Sequence, residues 1–236
     1  MSQESNSQHS RHIELECINC RTRVALDKYV AGCPACGENI LEARYELNKI
    51  NVDEWLTAIR GRPEGLWRYR EVLPLYNPDN IVSMGEGGTP LIKSHALAAA
   101  LGLKHLYIKD ERQGPTASFK DRQAAVAISA LREMGVDSVV VASTGNVAIA
   151  YAAYGARAGI KVWAFFPSLT PGEKMREAAL FGAEVIKITG TYDQTKEFAA
   201  RFAKSKGLFL DRGIKSVAAI EAMKTIAYEI AEQLGR

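Results

Sequence analysis

The rhythm of apolar and polar positions changes along this chain. From about residue 106 onward, short runs rich in Val, Ile and aromatic residues alternate with longer segments of helical period. Residues 106–109, 138–142, 162–166, 184–188 and 208–210 read as buried strands. Helices are predicted between and after them at 121–134, 146–158, 174–181, 192–204 and 217–234. Gly135, Gly159, Gly182 and Gly207 each follow a helical run and suit a left-handed helix stop. Such alternation with short loops predicts βαβ units and an α/β fold with a mainly parallel sheet. Residues 48–78 connect to this body; a helix is predicted near 52–60, and Trp55, Trp67 and Tyr69 should pack onto the body. Residues 12–47 form a compact polar module around four cysteines. Residues 1–11, polar and rich in Ser and Gln, are expected to be a disordered leader.

Composition narrows the picture. At 236 residues, 47% hydrophobic and 24% charged, the chain can bury a sizeable core. A net charge of +3 gives no argument for a nucleic-acid or membrane partner. No apolar run approaches the roughly 18 residues of a membrane span. The first residues lack the apolar stretch of a signal peptide. All four cysteines lie between Cys17 and Cys36, so no disulfide framework extends along the chain. These features lead us to expect a cytoplasmic protein.

Open α/β sheets bind ligands where strands end and helices begin. Two such junctions carry chemistry. The first, residues 114–122, reads G-P-T-A-S-F-K-D-R. Ser118 and Asp121 have the spacing of a capping box, with Ser118 at the N-cap and Lys120 in the first helical turn. The positive end of a helix dipole disfavours a lysine's charge there, which raises the fraction of neutral, nucleophilic amine. A solvated lysine that happens to start a helix reads equally well from this stretch alone. The second junction, Ser143-Thr144-Gly145-Asn146, follows a strand and opens an alanine-rich helix. Gly145 permits a close turn, and outward-facing amides beside two hydroxyls make a seat for a carboxylate or phosphate. Asn146 adds a neutral donor.

Together these motifs resemble the fold type II enzymes that use pyridoxal 5′-phosphate (PLP), most closely the threonine synthase family. The matching stretches are G-E-G-G-T-P-L at 85–91, P-T-A-S-F-K-D-R at 115–122, A-S-T-G-N at 142–146 and A-A-Y-G-A-R-A-G-I at 152–160. The resemblance covers about residues 66–236. It implies that Lys120 holds PLP as a Schiff base and moves protons on a small amino-acid substrate. It further implies that Phe119 packs beside the cofactor ring, that Asn146 bonds the ring hydroxyl, and that Ser143, Thr144 and Gly145, with the Asn146 amide, hold the substrate's α-carboxylate. Asp121 and Arg122 read as structural. Residues 85–89 lack the strand and spacing of a dinucleotide loop and form the lead-in to the body.

The chain departs from the family in two places. Val147 stands where many members have a threonine, and 213–225 reads G-I-K-S-V-A-A-I-E-A-M-K-T in place of an N-P-x-R loop before a G-Q-K-T helix. A glycine-rich cup for the cofactor phosphate and a Ser or Thr facing the pyridine nitrogen are also absent from 1–236. Residues 48–236 are therefore expected to be the first part of a catalytic body, incomplete at the C-terminus. The activity expected is conversion of O-phosphohomoserine and water to threonine and phosphate. Other readings are a PLP β-replacement or elimination enzyme, such as a cysteate synthase or serine/threonine dehydratase, and a non-catalytic subunit. A homodimer, or a partner chain supplying the C-terminal half, is expected.

Cys17-x2-Cys20 and Cys33-x2-Cys36 have the spacing of paired knuckles around one Zn²⁺. Four thiolates leave no open position for chemistry, so the role would be structural in a zinc-ribbon-like module. Buried free cysteines, or a site that has lost its metal, are the plain alternatives. Residues 11–47 carry slightly more acidic than basic side chains, which does not suit a phosphate-binding ribbon.

Overall fold

The computed structural model describes residues 13–26, 32–38 and 40–235. The expected leader lies outside them.

The N-terminal module is a three-stranded antiparallel sheet of β1 (Ile13–Cys17), β2 (Arg23–Ala25) and β3 (Leu41–Tyr45), with β1 in the centre. Ile13, Leu15 and Cys17 alternate into a small core with Cys33, Leu41 and Ala43. Val217, from the far end of the chain, closes this core, and the Tyr45 hydroxyl donates to Glu221 at 2.8 Å. The module is thus fastened to the body rather than tethered beside it.

Asn51 caps α1 (Val52–Arg60) by accepting the Glu54 amide. Beyond it, the aromatics of the connecting region pack as their apolar rings demand. Tyr69 is buried with Ile59 and Val72, its ring 5.4 Å from that of Tyr228. The Trp55 and Trp67 indoles donate to Glu71 and Glu86 at 3.1 and 2.7 Å.

Strands β4 (Leu91–Lys93) and β5 (Tyr107–Lys109) flank α2 (His95–Ala100) and pair antiparallel in a two-stranded sheet of their own. This corrects the expectation that residues 106–109 belong to the parallel sheet. Their partner, three residues long, is too short to show an alternation in sequence.

The parallel sheet begins later. In chain order come α3 (Lys120–Glu133), β6 (Ser138–Ala142), α4 (Asn146–Ala158), β7 (Lys161–Pro167), α5 (Gly172–Leu180), β8 (Glu184–Ile188), α6 (Tyr192–Lys206), β9 (Phe209–Leu210) and α7 (Val217–Gln233). The strand order is β8-β7-β6-β9, all parallel, with Val139 opposite Val162 and Phe165 opposite Ile186. Val139, Val140 and Val141 are all buried, as in a strand covered on both faces. Small residues let the helices close in. Ala124, Ala125 and Ala127 of α3 are buried with Ala148, Ala150 and Ala152 of α4 and Ala218 and Ala222 of α7. Gly155 is required where α4 meets β7, because a Cβ there would stand 2.6 Å from the Val162 side chain. The anticipated helix stops Gly135, Gly159, Gly182 and Gly207 all adopt positive φ.

A buried ionic cluster ties α3 to α7. The Arg122 guanidinium, only 1% exposed, donates to both Glu229 oxygens at 2.6 and 2.8 Å, to Glu111 at 2.8 and 2.9 Å, and to the Thr225 hydroxyl at 3.0 Å. Lys109 also pairs with Glu229 at 2.7 Å, and the Gly88 amide donates to it at 3.0 Å. The 85–89 loop thereby becomes a structural wrap. Gly87 lies so close that a Cβ would stand 2.4 Å from the Leu66 nitrogen. Arg122→Met should cost about 3–5 kcal/mol by stripping the guanidinium from buried Glu229 and partly buried Glu111. Urea denaturation at neutral pH measures this, and a loss below about 1 kcal/mol would show that the cluster does not anchor α3.

Candidate functional site

Helices α3 and α4 are joined to the two ends of β6 by short connections, so both run back against the strand. Their N-termini therefore share the carboxyl edge of the parallel sheet. This brings Lys120, the first residue of α3, to the same edge as Asn146, the first residue of α4.

The lysine loop is built around Asp121. Its carboxylate accepts from the Thr116 amide at 3.0 Å and the Thr116 hydroxyl at 2.7 Å. Gly114 is needed for this turn, since a Cβ there would lie 2.4 Å from Asp121 Oδ2. Ala117 takes a positive φ of 53°, uncommon for a residue with a side chain. The expected capping box does not form. Phe119, already helical in backbone, occupies the N-cap without a side-chain bond, and Ser118 Oγ accepts from the Lys120 amide at 3.2 Å rather than from Asp121. The left-handed turn at Ala117 delays the helix by one residue, which moves Ser118 out of the cap. Lys120 remains in the first turn.

The Lys120 side chain is half-buried and its Nζ lies 4.2 Å from the centre of the Phe119 ring. No ion pair or hydrogen bond holds that amine among the described residues. Burial pushes its pKa below the ordinary lysine value, which favours the neutral, nucleophilic form.

In the second junction Ser143 is buried, and its Oγ accepts from the Gly145 amide at 3.0 Å. That amide is thus turned inward, contrary to the expectation that the loop's amides face out. The amides available to a ligand are those of the first turn of α4, which has no side-chain cap. Thr144 and Asn146 are exposed, and neither side chain has a hydrogen bond among the described residues.

Three residues were missed in the sequence. Asp211, just past β9, is buried; it accepts from the Tyr151 hydroxyl at 2.9 Å and the Gly213 amide at 2.7 Å. Gln123, one turn along α3 from Lys120, donates to Tyr151 at 3.5 Å. The strand-end rule applied to 208–210 would have pointed at Asp211. Tyr151 and Gln123 lie inside helices, where no motif marks them.

The four cysteine sulfurs lie within 4.8 Å of one another, with Cys17–Cys36 at 3.6 Å and Cys20–Cys33 at 3.5 Å. Four thiolates at about 2.3 Å from a tetrahedral metal stand about 3.8 Å apart, so the donor set fits Zn²⁺.

Residues 82–236 match the family described as pyridoxal-phosphate dependent enzyme. Among curated proteins, a threonine synthase of Methanocaldococcus jannaschii is 39% identical over 92% of this chain and 53% of its own length. One from Methanosarcina acetivorans is 35% identical over 93% and 53%. The chain spans about half the length of these relatives. Among solved structures, the processed form of threonine deaminase isoform 2 from Solanum lycopersicum superposes with a TM-score of 0.58 at 24% identity, covering 77% of this chain and 45% of that one; it shows the shared fold.

Burial pushes the Asp211 carboxyl up to about 6, against the hydrogen bonds from Gly213 and Tyr151. A folded-state value above the ordinary 3.8 means that its contribution to stability is present below about pH 4 and is lost as pH rises through about 6. Asp211→Asn should therefore stabilise the protein at pH 7, by at most about 3 kcal/mol, and leave it unchanged near pH 3.5. Denaturant midpoints at the two pH values check this; equal effects at both would contradict it.

Proposed function

The chain belongs to the pyridoxal-phosphate-dependent enzyme family, and on that premise we propose that it is the N-terminal part of a threonine synthase-like lyase acting on a small amino acid. The observation that carries this reading is Lys120: half-buried, without an ionic partner among the described residues, and on the same sheet edge as the 143–146 loop. Identity of 39% and 35% to threonine synthases over more than nine-tenths of the chain supports it.

PLP, when bound, supplies an electron sink for charge that develops at the substrate's α-carbon. The chain's own residues do the rest. Lys120 would hold the cofactor and would move a proton at the substrate carbon, a task that a depressed amine pKa serves. The Phe119 ring would pack beside the cofactor, and the Asn146 carboxamide would donate to its ring hydroxyl. Thr144, the Ser143 hydroxyl, the Gly145 turn and the first α4 amides take the α-carboxylate, where the helix dipole favours negative charge. The remainder of the cofactor seat falls to the half of the relatives that this chain does not span, as continuing polypeptide or a partner chain. A homodimer is the alternative assembly.

The reaction we assign is conversion of O-phosphohomoserine and water to threonine and phosphate. A β-replacement or elimination of cysteate synthase or serine/threonine dehydratase type is favoured instead by one observation: Val147 and residues 213–225 lack polar groups that many threonine synthases carry there. No helix among the described residues is long and apolar enough to cross a membrane, and we place the enzyme in the cytoplasm. Cys17, Cys20, Cys33 and Cys36 would hold a structural Zn²⁺ that pins two knuckles to β1.

Product analysis of PLP-supplied protein, with the remainder of the cofactor seat present, on O-phosphohomoserine, O-phosphoserine and threonine tests the reading. Threonine from the first alone is the expected result, with Lys120→Ala lowering turnover by about a hundredfold to ten-thousandfold. Pyruvate or 2-oxobutyrate would assign the elimination reading, and turnover unaffected by Lys120→Ala would overturn the site. Metal analysis should find one zinc per chain, lost in Cys33→Ser; a metal-free wild-type protein would leave four free thiols instead.

A further inference from the structure

We propose that Lys174 is a specificity-determining residue of this site, forming the cationic wall over the seat that takes the substrate's carboxylate. The inference rests on the reading above of the 143–146 loop as an oxyanion seat, and it adds a residue from a third element.

Lys174 stands in the first turn of α5, where the helix dipole opposes a positive charge, so helix stability does not explain it. Its packing does. A Cβ placed on Gly145 would meet Lys174 Cγ and Cδ at 3.5 Å and Cβ at 4.0 Å. The aliphatic stem therefore lies along the turn of the Ser-Thr-Gly-Asn loop and carries the ammonium at its end. Nζ stands two bonds past Cδ, about 2.5 Å on, within reach of the glycine turn that the exposed Thr144 and Asn146 flank.

The ammonium is weakly held. Its ion pair is with Glu177 at 3.9 Å, both side chains 41% exposed, a contact of little worth in water. Glu173, beside it in the same turn, has no ion pair to it among the described residues. The loop that delivers Lys174 also holds Thr170, which is buried with its hydroxyl unpaired among the described residues. A weakly paired cation whose stem lies over a glycine turn, four residues after a buried hydroxyl with no partner among the described residues, suits an oxyanion ligand better than it suits the protein alone.

The test uses the whole chain and inorganic phosphate as the probe oxyanion, followed through the backbone amide resonances of Gly145, Asn146 and Val147. Phosphate should shift these amides in a saturable way. Lys174→Met should weaken the affinity about fivefold, as one half-exposed charge pair warrants, and Lys174→Arg should largely keep it. Absence of any saturable shift in the wild-type protein, or equal affinity in Lys174→Met, would overturn the proposal. The amide spectrum itself shows whether each variant is folded. Cofactor attachment at Lys120 with no effect of Lys174→Met would defeat this inference alone. A Lys174-dependent anion site without cofactor attachment would defeat the PLP reading and leave the oxyanion seat standing.

Discussion

Two residues past Lys120, the buried guanidinium of Arg122 fixes where α3 can begin. A permanently charged group that is 1% exposed must find its counter-charges inside, and it finds them in Glu111 just before the lysine loop and Glu229 near the end of α7. Through Glu229 the same cluster reaches Lys109 and the Gly88 amide, so the lead-in loop, β5, α3 and α7 meet at one point. Lys120 is held at the sheet edge by this anchoring, while its own amine remains without an ionic partner among the described residues. The protein thus places its strongest electrostatics beside the candidate nucleophile rather than on it.

The parallel winding then does the positioning. Short connections around β6 and β7 bring the starts of α3, α4 and α5 to one edge, each from a different stretch of sequence. The edge combines a lysine with a depressed pKa, a glycine turn with its inner amide satisfied by Ser143, and side chains of Thr144 and Asn146 left open to a ligand. Deeper in, Asp211 and Tyr151 close the floor between β9 and α4. Polar groups that the fold already satisfies set the shape, and those left unsatisfied mark where a ligand would bind.

Much of this was legible in the sequence because the signals were local. Runs of β-branched residues marked β6 and β8 to the residue, and glycines marked where helices stop. The two junctions stood out because strand-end loops carry unusual residues. What was not legible depended on contacts distant in sequence or on turns decided by backbone strain. β4 is too short to announce itself as the partner of β5. The capping box at Ser118 failed because Ala117 takes a left-handed turn around the Asp121 carboxylate, which spacing alone does not reveal. Gln123, Tyr151 and Asp211 come from three elements and become a set only on folding. The stem of Lys174 over Gly145 is equally invisible before the chain is wound.

The central claim is that Lys120 is the residue that attaches PLP. Borohydride reduction of the protein with PLP, with the remainder of the cofactor seat present as continuing polypeptide or partner chain, followed by peptide mapping, tests it most directly. A stoichiometric pyridoxyl adduct on Lys120, absent in Lys120→Ala, is the result the account requires. Adducts scattered over surface lysines, with Lys120 unmodified, would contradict it.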